Sequence, residues 1–202
     1  MATIDTIQKM YIAYFGRPAD LAGLEYWADK SEAEIIAGFS ASNESQALFG
    51  GSDAAAQVQA IYLNLFDRMP EPDGLNYWVA RLDGGEISQA EAMWEILQGA
   101  GAGDADAVAN KLAAAKAFTA ALDTDEEAQA YAGDDAASIV RAWLAKINAE
   151  PATVEGIEES AAGAVVTLLP PTDSAATGEL NVTGAAEEGG TLTADLANLI
   201  DT

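Results

Sequence analysis

Apolar side chains near the start of the chain fall at Ile4, Ile7, Tyr11 and Tyr14, in steps of three and four. That spacing places them on one side of a helix. The same stepping returns at Val58, Ile61, Tyr62 and Leu65. Each stripe runs into a proline-bearing turn, Arg17-Pro18-Ala19 and Arg68-Met69-Pro70. Proline removes a donor and pushes its predecessor out of the α region, so a helix is predicted to end at each turn. A short second helix should follow, capped by Asp20 in the first instance. In the second, Glu71 is a poorer cap, and Pro72 stands at the first helical position, where proline is tolerated. Leu24, Trp27 and Ala28 are expected to form the buried face of the short helix.

These two stretches are copies. A shift of 51 residues without a gap lays Tyr11–Trp27 on Tyr62–Trp78, with Tyr11/Tyr62, Phe15/Phe66, Arg17/Arg68, Gly23/Gly74, Leu24/Leu75, Tyr26/Tyr77 and Trp27/Trp78 identical. Seven identities in 17 positions, four of them aromatic, mark a duplicated helix–turn–helix unit.

Further helix starts are written as capping boxes at Ser31-x-x-Glu34, Ser88-x-x-Glu91 and Thr124-x-x-Glu127. Asp53 is placed to cap the helix that carries the second stripe. The stretch "GAGAGD", 99–104, reads as a break, after which Ala107 to Leu122 forms a helix with Val108, Leu112, Ala115 and Phe118 on one side. Ile139, Trp143, Leu144 and Ile147 mark another, ended before Pro151, and a last short helix is expected from Thr153 to about Ala162. The character changes at "LLPPTDSAATG", a proline- and glycine-bearing linker. Beyond it, Glu179–Thr183 and Thr191–Ala194 alternate apolar and polar around a Gly-rich turn, which is β patterning. Two strands alone are marginal in water, so this segment is expected to pair elsewhere or to open a larger β domain.

The expected fold is therefore mainly α: two repeated helix–turn–helix units plus C-terminal helices, with a short C-terminal β segment. Residues 1–165 form the all-α domain, with repeat units at about 1–50 and 51–103 and further helices over 104–165. A linker covers 166–178 and the β segment 179–202.

Composition narrows the function. Thirty-three acids against nine bases give the 202-residue chain a net charge of −24. Nucleic acid and anionic lipid are poor partners for such a surface, because binding them adds repulsion. A solubilising surface suited to high salt or secretion accounts for the charge, and calcium sites are the competing explanation. Cysteine and histidine are absent, which removes disulfides, thiolate chemistry, imidazole ligation and every His-dependent triad. No basic stretch followed by an apolar run opens the chain, and no apolar run approaches the ~20 residues of a membrane span. No phosphate-binding loop is present, and no carboxylate stands out in an apolar context as a glycosidase acid would. The expectation is a protein that is not an enzyme.

The twin "FGR…GLEYW" and "FDR…GLNYW" motifs, with "ANKLAAAKAFTAAL" and "YAGDDAASIVRAWLAKI" downstream, resemble a helical repeat domain of RTX-type secreted proteins, adhesins and surface-layer proteins. That domain is distantly similar to phycobilisome linker domains. "GELNVTGAAEEGGTLTADLANLIDT" is similar to the opening of an immunoglobulin-like adhesin repeat, which would here be truncated. The resemblance implies type I secretion through an uncleaved C-terminal signal and a place on the bacterial cell surface. It implies a structural anchoring role on surface polysaccharide, namely lipopolysaccharide O-antigen binding helped by calcium. Homo-assembly through the β segment, and a linker-type scaffold, are the alternatives.

Four residues are candidate ligand contacts. Tyr26 and Tyr77 sit one position off the buried stripe and could stack on sugars, or close the joint between two helices. Arg17 and Arg68 lie at the turns in identical register. They could meet an anionic sugar, or bond helix C-terminal carbonyls and the nearby Asp20 or Glu71. For calcium, which needs about six to eight oxygens, the densest acids are Asp123, Asp125 and Glu127 with Asp134 and Asp135. They lack the glycine and the closing Glu of an EF-hand loop, and all of them also suit helix N-termini.

Overall fold

The computed structural model describes residues 1–170 and, further along, the backbone of two three-residue strands. Its helices are Ile4–Phe15 (α1), Leu21–Trp27 (α2), Glu32–Ala41 (α3), Asn43–Phe49 (α4), Ala54–Phe66 (α5), Pro72–Asp83 (α6), Gln89–Gln98 (α7), Ala102–Ala121 (α8), Asp125–Ala130 (α9), Asp134–Leu144 (α10) and Ile157–Val166 (α11). A 3-10 turn at Pro151–Val154 precedes α11. Met1–Leu169 is one compact, mainly helical unit. Separately, Asn181–Thr183 (β1) pairs antiparallel with Thr193–Asp195 (β2), Val182 opposite Ala194. The rest of the β segment expected over 179–202 lies outside the described residues. Among the described residues, no helix is long and apolar enough to cross a membrane.

Local chemistry starts the helices as the sequence indicates. Ser31/Glu34, Ser88/Glu91 and Thr124/Glu127 all close reciprocal capping boxes. Asp20 accepts from the Gly23 N–H at 2.7 Å and Asp53 from the Ala56 N–H at 2.8 Å. Glu71 makes no cap bond, and Pro72 opens α6. The helix ends differ from expectation. α1 and α5 stop at Phe15 and Phe66, before either proline, because Gly16 and Asp67 turn into the left-handed region at φ 68° and 54°. Both occupy the same register of the repeat, and glycine adopts that conformation without a Cβ clash.

α1 is the central helix. It packs against α5, α7 and α8, so it is buried nearly all round instead of along one stripe. Ile7, Met10, Tyr11, Tyr14 and Phe15 join the repeat core with Ile35, Phe39, Val58, Ile61, Leu65 and Met93. Ile12, on another side, meets Ala114, Leu144 and Ile157. Ile4, at the entry, is 58% exposed. A third cluster gathers Phe118, Tyr131, Val140 and Val165 under the C-terminal helices.

Other expectations are corrected. α8 begins at Ala102, inside the stretch read as a break, because Asp104 in its first turn is held by Arg68 at 2.8 Å. Ile139 is exposed, and the buried stripe of α10 is Ala136, Ala137, Val140 and Leu144. Trp27 ends α2 and is half-buried, and Ala28 is exposed. The last helix lies later than expected, after the 3-10 turn.

A Cβ at Gly16 would meet Asn64 Oδ1 at 2.7 Å in a left-handed backbone. Gly16→Ala should therefore lower the urea-unfolding free energy by about 1–2 kcal/mol. The urea midpoint should fall at unchanged m-value.

Candidate functional site

The two helix joints are the positions that the repeat preserves, and each is built around its arginine. Arg17 donates from Nε and Nη2 to the two oxygens of Glu44, both at 2.7 Å, and from Nη1 to the Pro18 carbonyl at 3.0 Å. Arg68 repeats this with Asp104, at 2.8 Å twice, and with the Met69 carbonyl at 3.1 Å. Asp20 lies 3.6 Å from Arg17, and Glu71 lies 2.9 Å from Arg68. Each guanidinium also sits over two aromatic rings of its own repeat, Tyr11 and Phe15 or Tyr62 and Phe66, at 5.1–5.7 Å. Glu44 and Asp104 stand in the first turns of α4 and α8, where the helix dipole favours an anion. Paired fork to fork, each arginine ties the end of one helix to the start of another.

What covers the joints differs. Over the first, the Tyr131 hydroxyl donates to Pro18 O at 2.8 Å. Arg141 donates from Nε to Phe15 O at 2.8 Å and from Nη2 to Glu44 Oε1 at 2.6 Å. One carboxylate thus holds two guanidiniums. Arg17 is left 11% exposed and Arg68 37%. Burial works against the Arg17 charge, but the bonded Glu44 outweighs it and holds the guanidinium firmly protonated. Asp104 does the same for Arg68.

The tyrosines are placed differently from the arginines. Tyr26 is 62% exposed and Tyr77 55%. Each stands edge-on to its tryptophan neighbour, at 4.6 Å from Trp27 and 4.9 Å from Trp78. Lys30 lies 5.6 Å from the Tyr26 ring centre and Arg81 5.5 Å from that of Tyr77. The tryptophans turn inward, and Trp27 Nε1 donates to the Tyr11 hydroxyl at 3.1 Å. The tryptophans therefore help close the joints, and the tyrosine rings stand at the surface beside them.

The acids proposed for calcium are dispersed. Glu127 Oε2 accepts from the backbone N–H of Asp123 and Thr124 and from the Thr124 hydroxyl, at 2.8–3.1 Å. Its bond to Glu127 pushes the Asp123 carboxyl up from the ordinary value. Asp125 lies in the first turn of α9, and Asp134 and Asp135 open α10. Asp134 lines a cavity of about 550 Å³ that also reaches Arg17, Asp20 and Glu25. Among the described residues, no group of three or more Asp or Glu is placed to hold a metal ion.

Two buried polar side chains escaped the sequence reading. Gln8 accepts from the Ala19 N–H at 2.9 Å and donates to Thr119 at 2.8 Å, pinning the first joint to α8. An identical residue at the repeat spacing, Gln59, was the available signal. Lys111 is 1% exposed and donates to the Leu63 and Asn64 carbonyls at 3.2 and 2.7 Å, capping the end of α5. Nothing in an Ala/Leu/Lys run sets that lysine apart from a solvated one.

A family model described as Domain of unknown function (DUF4214) matches residues 2–49 and, a second time, residues 51–100. The two matches fall on the two repeats. Neither a curated protein nor a solved structure matches the chain.

The unequal cover of the joints sets two stabilities apart. Arg17→Ala should cost about 3 kcal/mol, the low end for a broken buried pair because Arg141 still holds Glu44. Arg68→Ala should cost about 1 kcal/mol or less. Urea titrations of the two variants measure the difference. The pH dependence has a sign as well. Burial pushes Lys111 down to about 8 from 10.5, so the unfolded chain binds more protons between those values and stability rises with pH there. Burial pushes Tyr11 and Tyr131 up to about 12 from 10.0. Above pH 10 the folded state retains those protons, and stability falls as pH rises further. Thermal melts across pH 7–11 should show the rise, then the fall, and Lys111→Met should remove the rise alone.

Proposed function

We propose that this chain is a non-enzymatic anchoring module of a secreted surface-layer or adhesin protein, holding it to bacterial surface polysaccharide of the lipopolysaccharide O-antigen kind. The observation that carries the reading is the pair Tyr26 and Tyr77. In a repeat whose other preserved aromatics and arginines are tied into the joints, these two rings alone stand more than half exposed, in identical register. A tyrosine face offers a sugar's C–H surface an apolar platform and its hydroxyl a bonding partner. Two platforms on one chain raise avidity for a repeating polymer, since the second engagement is intramolecular. The arginines serve the joint and are withdrawn from the ligand-contact role. Calcium enters as a helper between an acidic protein and an acidic polysaccharide, without an assigned protein site.

The short antiparallel pair β1–β2 favours a second reading. Among the described residues two strands leave open edges, and a segment that resembles the opening of an immunoglobulin-like repeat could complete its sheet with another copy of the chain. Assembly of that kind is compatible with anchoring.

Retention on immobilised lipopolysaccharide tests the anchoring role, run with and without calcium. The wild-type chain should be retained, and Tyr26→Ala/Tyr77→Ala should lose at least about tenfold in affinity while keeping its helical circular dichroism. Absence of retention under both conditions defeats the reading.

A further inference from the structure

Between the two repeats lies a cleft of about 530 Å³. Its walls come from α4, the turn 50–53, the start of α5 and the stretch from Leu82 to Gln89. Tyr14 and Phe49 supply aromatic surface, and Ser45, Gln46, Gln57 and Gln89 supply hydroxyl and amide groups. The Tyr14 and Ser45 hydroxyls bond at 2.9 Å, and Gln57 Nε2 donates to Ser52 O at 3.2 Å. Gln89 Nε2 is shielded from solvent and has no partner among the described residues. Buried N–H groups are nearly always bonded, so this donor is unsatisfied where it lies and gains a bond once the Gln89 side chain turns into the cleft to meet an acceptor.

The lining argues against three ligand classes. No lysine or arginine faces the cleft, so an anion entering this acidic chain gains no counter-charge. Asp53 and Asp83 are its only acids, and Asp53 already accepts from the Ala56 N–H, which leaves too few oxygens for a divalent cation. An apolar ligand would strip water from the amide- and hydroxyl-bearing side chains of the lining and return no bonds. A neutral ligand rich in hydroxyls meets every condition. Its hydroxyl oxygens would accept from Gln89 Nε2, its O–H groups would donate to side-chain carbonyls, and its C–H face would pack on the Phe49 ring.

We infer that the inter-repeat cleft is a binding site for an uncharged pyranose unit, with Gln89 as its principal donor. The inference rests on the polysaccharide reading above for the source of the sugar. To it the cleft adds a location away from the exposed tyrosines and a requirement for neutrality.

Titration of the full, ¹⁵N-labelled chain with galactose, mannose and N-acetylglucosamine tests this, with glucuronate and calcium chloride as charged controls. At least one neutral sugar should shift the side-chain amides of Gln46, Gln57 and Gln89 saturably, with glucuronate about tenfold weaker or worse. No saturable shift with any of the three sugars, or an equal response to glucuronate or calcium, overturns the site. Gln89→Leu should weaken binding about tenfold. Gln46→Ala, at an exposed position where folding is not at stake, should weaken it about threefold; unchanged affinity in both variants overturns the assignment. The same titration on Tyr26→Ala/Tyr77→Ala separates the two proposals. Cleft binding that persists while lipopolysaccharide retention is lost supports both. Retention without any sugar shift at Gln89 defeats the cleft alone. Sugar binding in a chain never retained on lipopolysaccharide defeats the anchoring role alone.

Discussion

The structure depends on one carboxylate shared by two guanidiniums. Glu44 takes both forks of Arg17 and a third bond from Arg141, so α4, the first joint and α10 meet at a single anion. The desolvation that such a cluster suffers is large, and good geometry with every donor engaged is what offsets it. Most of those donors are engaged: Arg17 Nη1 has the Pro18 carbonyl, and Arg141 Nε has the Phe15 carbonyl. The two backbone acceptors lie at the end of α1 and just beyond it. The cluster therefore also satisfies carbonyls that a helix terminus leaves unpaired. Without it α10 would hold to the first repeat chiefly through apolar contacts such as that of Leu144 with Ile12.

Duplication explains the second joint and also why it is not a replica. Arg68 keeps the fork, the carbonyl and the two aromatic faces, but its acid comes from α8 and no tyrosine or second arginine closes over it. The repeat preserves what a helix joint needs internally. The cover is added by whatever follows in the chain, and after the second repeat that element is α8 itself, running back along α1.

Local chemistry was legible in the sequence, and long-range choice was not. Capping boxes, Asp N-caps, the proline at the start of α6 and the duplicated aromatics all read correctly, because each acts within a few residues. The acid partners of the arginines did not, since they lie 27 and 36 residues away. Part of that change comes from α6, which has 12 residues where α2 has 7, and the rest from longer connections, so a constant repeat offset does not find them. Periodicity also misplaced Ile139 and Ile4. A 3.6-residue stripe identifies an apolar side, yet on α10 the buried side is that of Ala136, Ala137, Val140 and Leu144, with Ile139 left exposed. At the site, the place of Tyr26 and Tyr77 one step off the stripe followed from helix geometry, but the exposure of both rings is visible only in the structure. The full burial of Lys111 had no sequence signal, because its partners are backbone carbonyls of another helix.

The use of the few cations constrains what the surface can bind. All nine basic residues lie within the described chain. Arg17, Arg68, Arg81, Lys116 and Arg141 are paired with acids, and Lys111 is buried against carbonyls. Lys9, Lys30 and Lys146 remain as positive charges available to a ligand among the described residues. A surface of this kind repels polyanions at any distance inside the screening length. A polysaccharide can approach it only through uncharged residues or with its acids neutralised by bound cations. Neither the exposed tyrosine rings nor the lining of the amide-bearing cleft supplies a cation of its own, so the scarcity of free cations and the preference of the two proposed contacts for uncharged sugar follow from the same structural use of arginine.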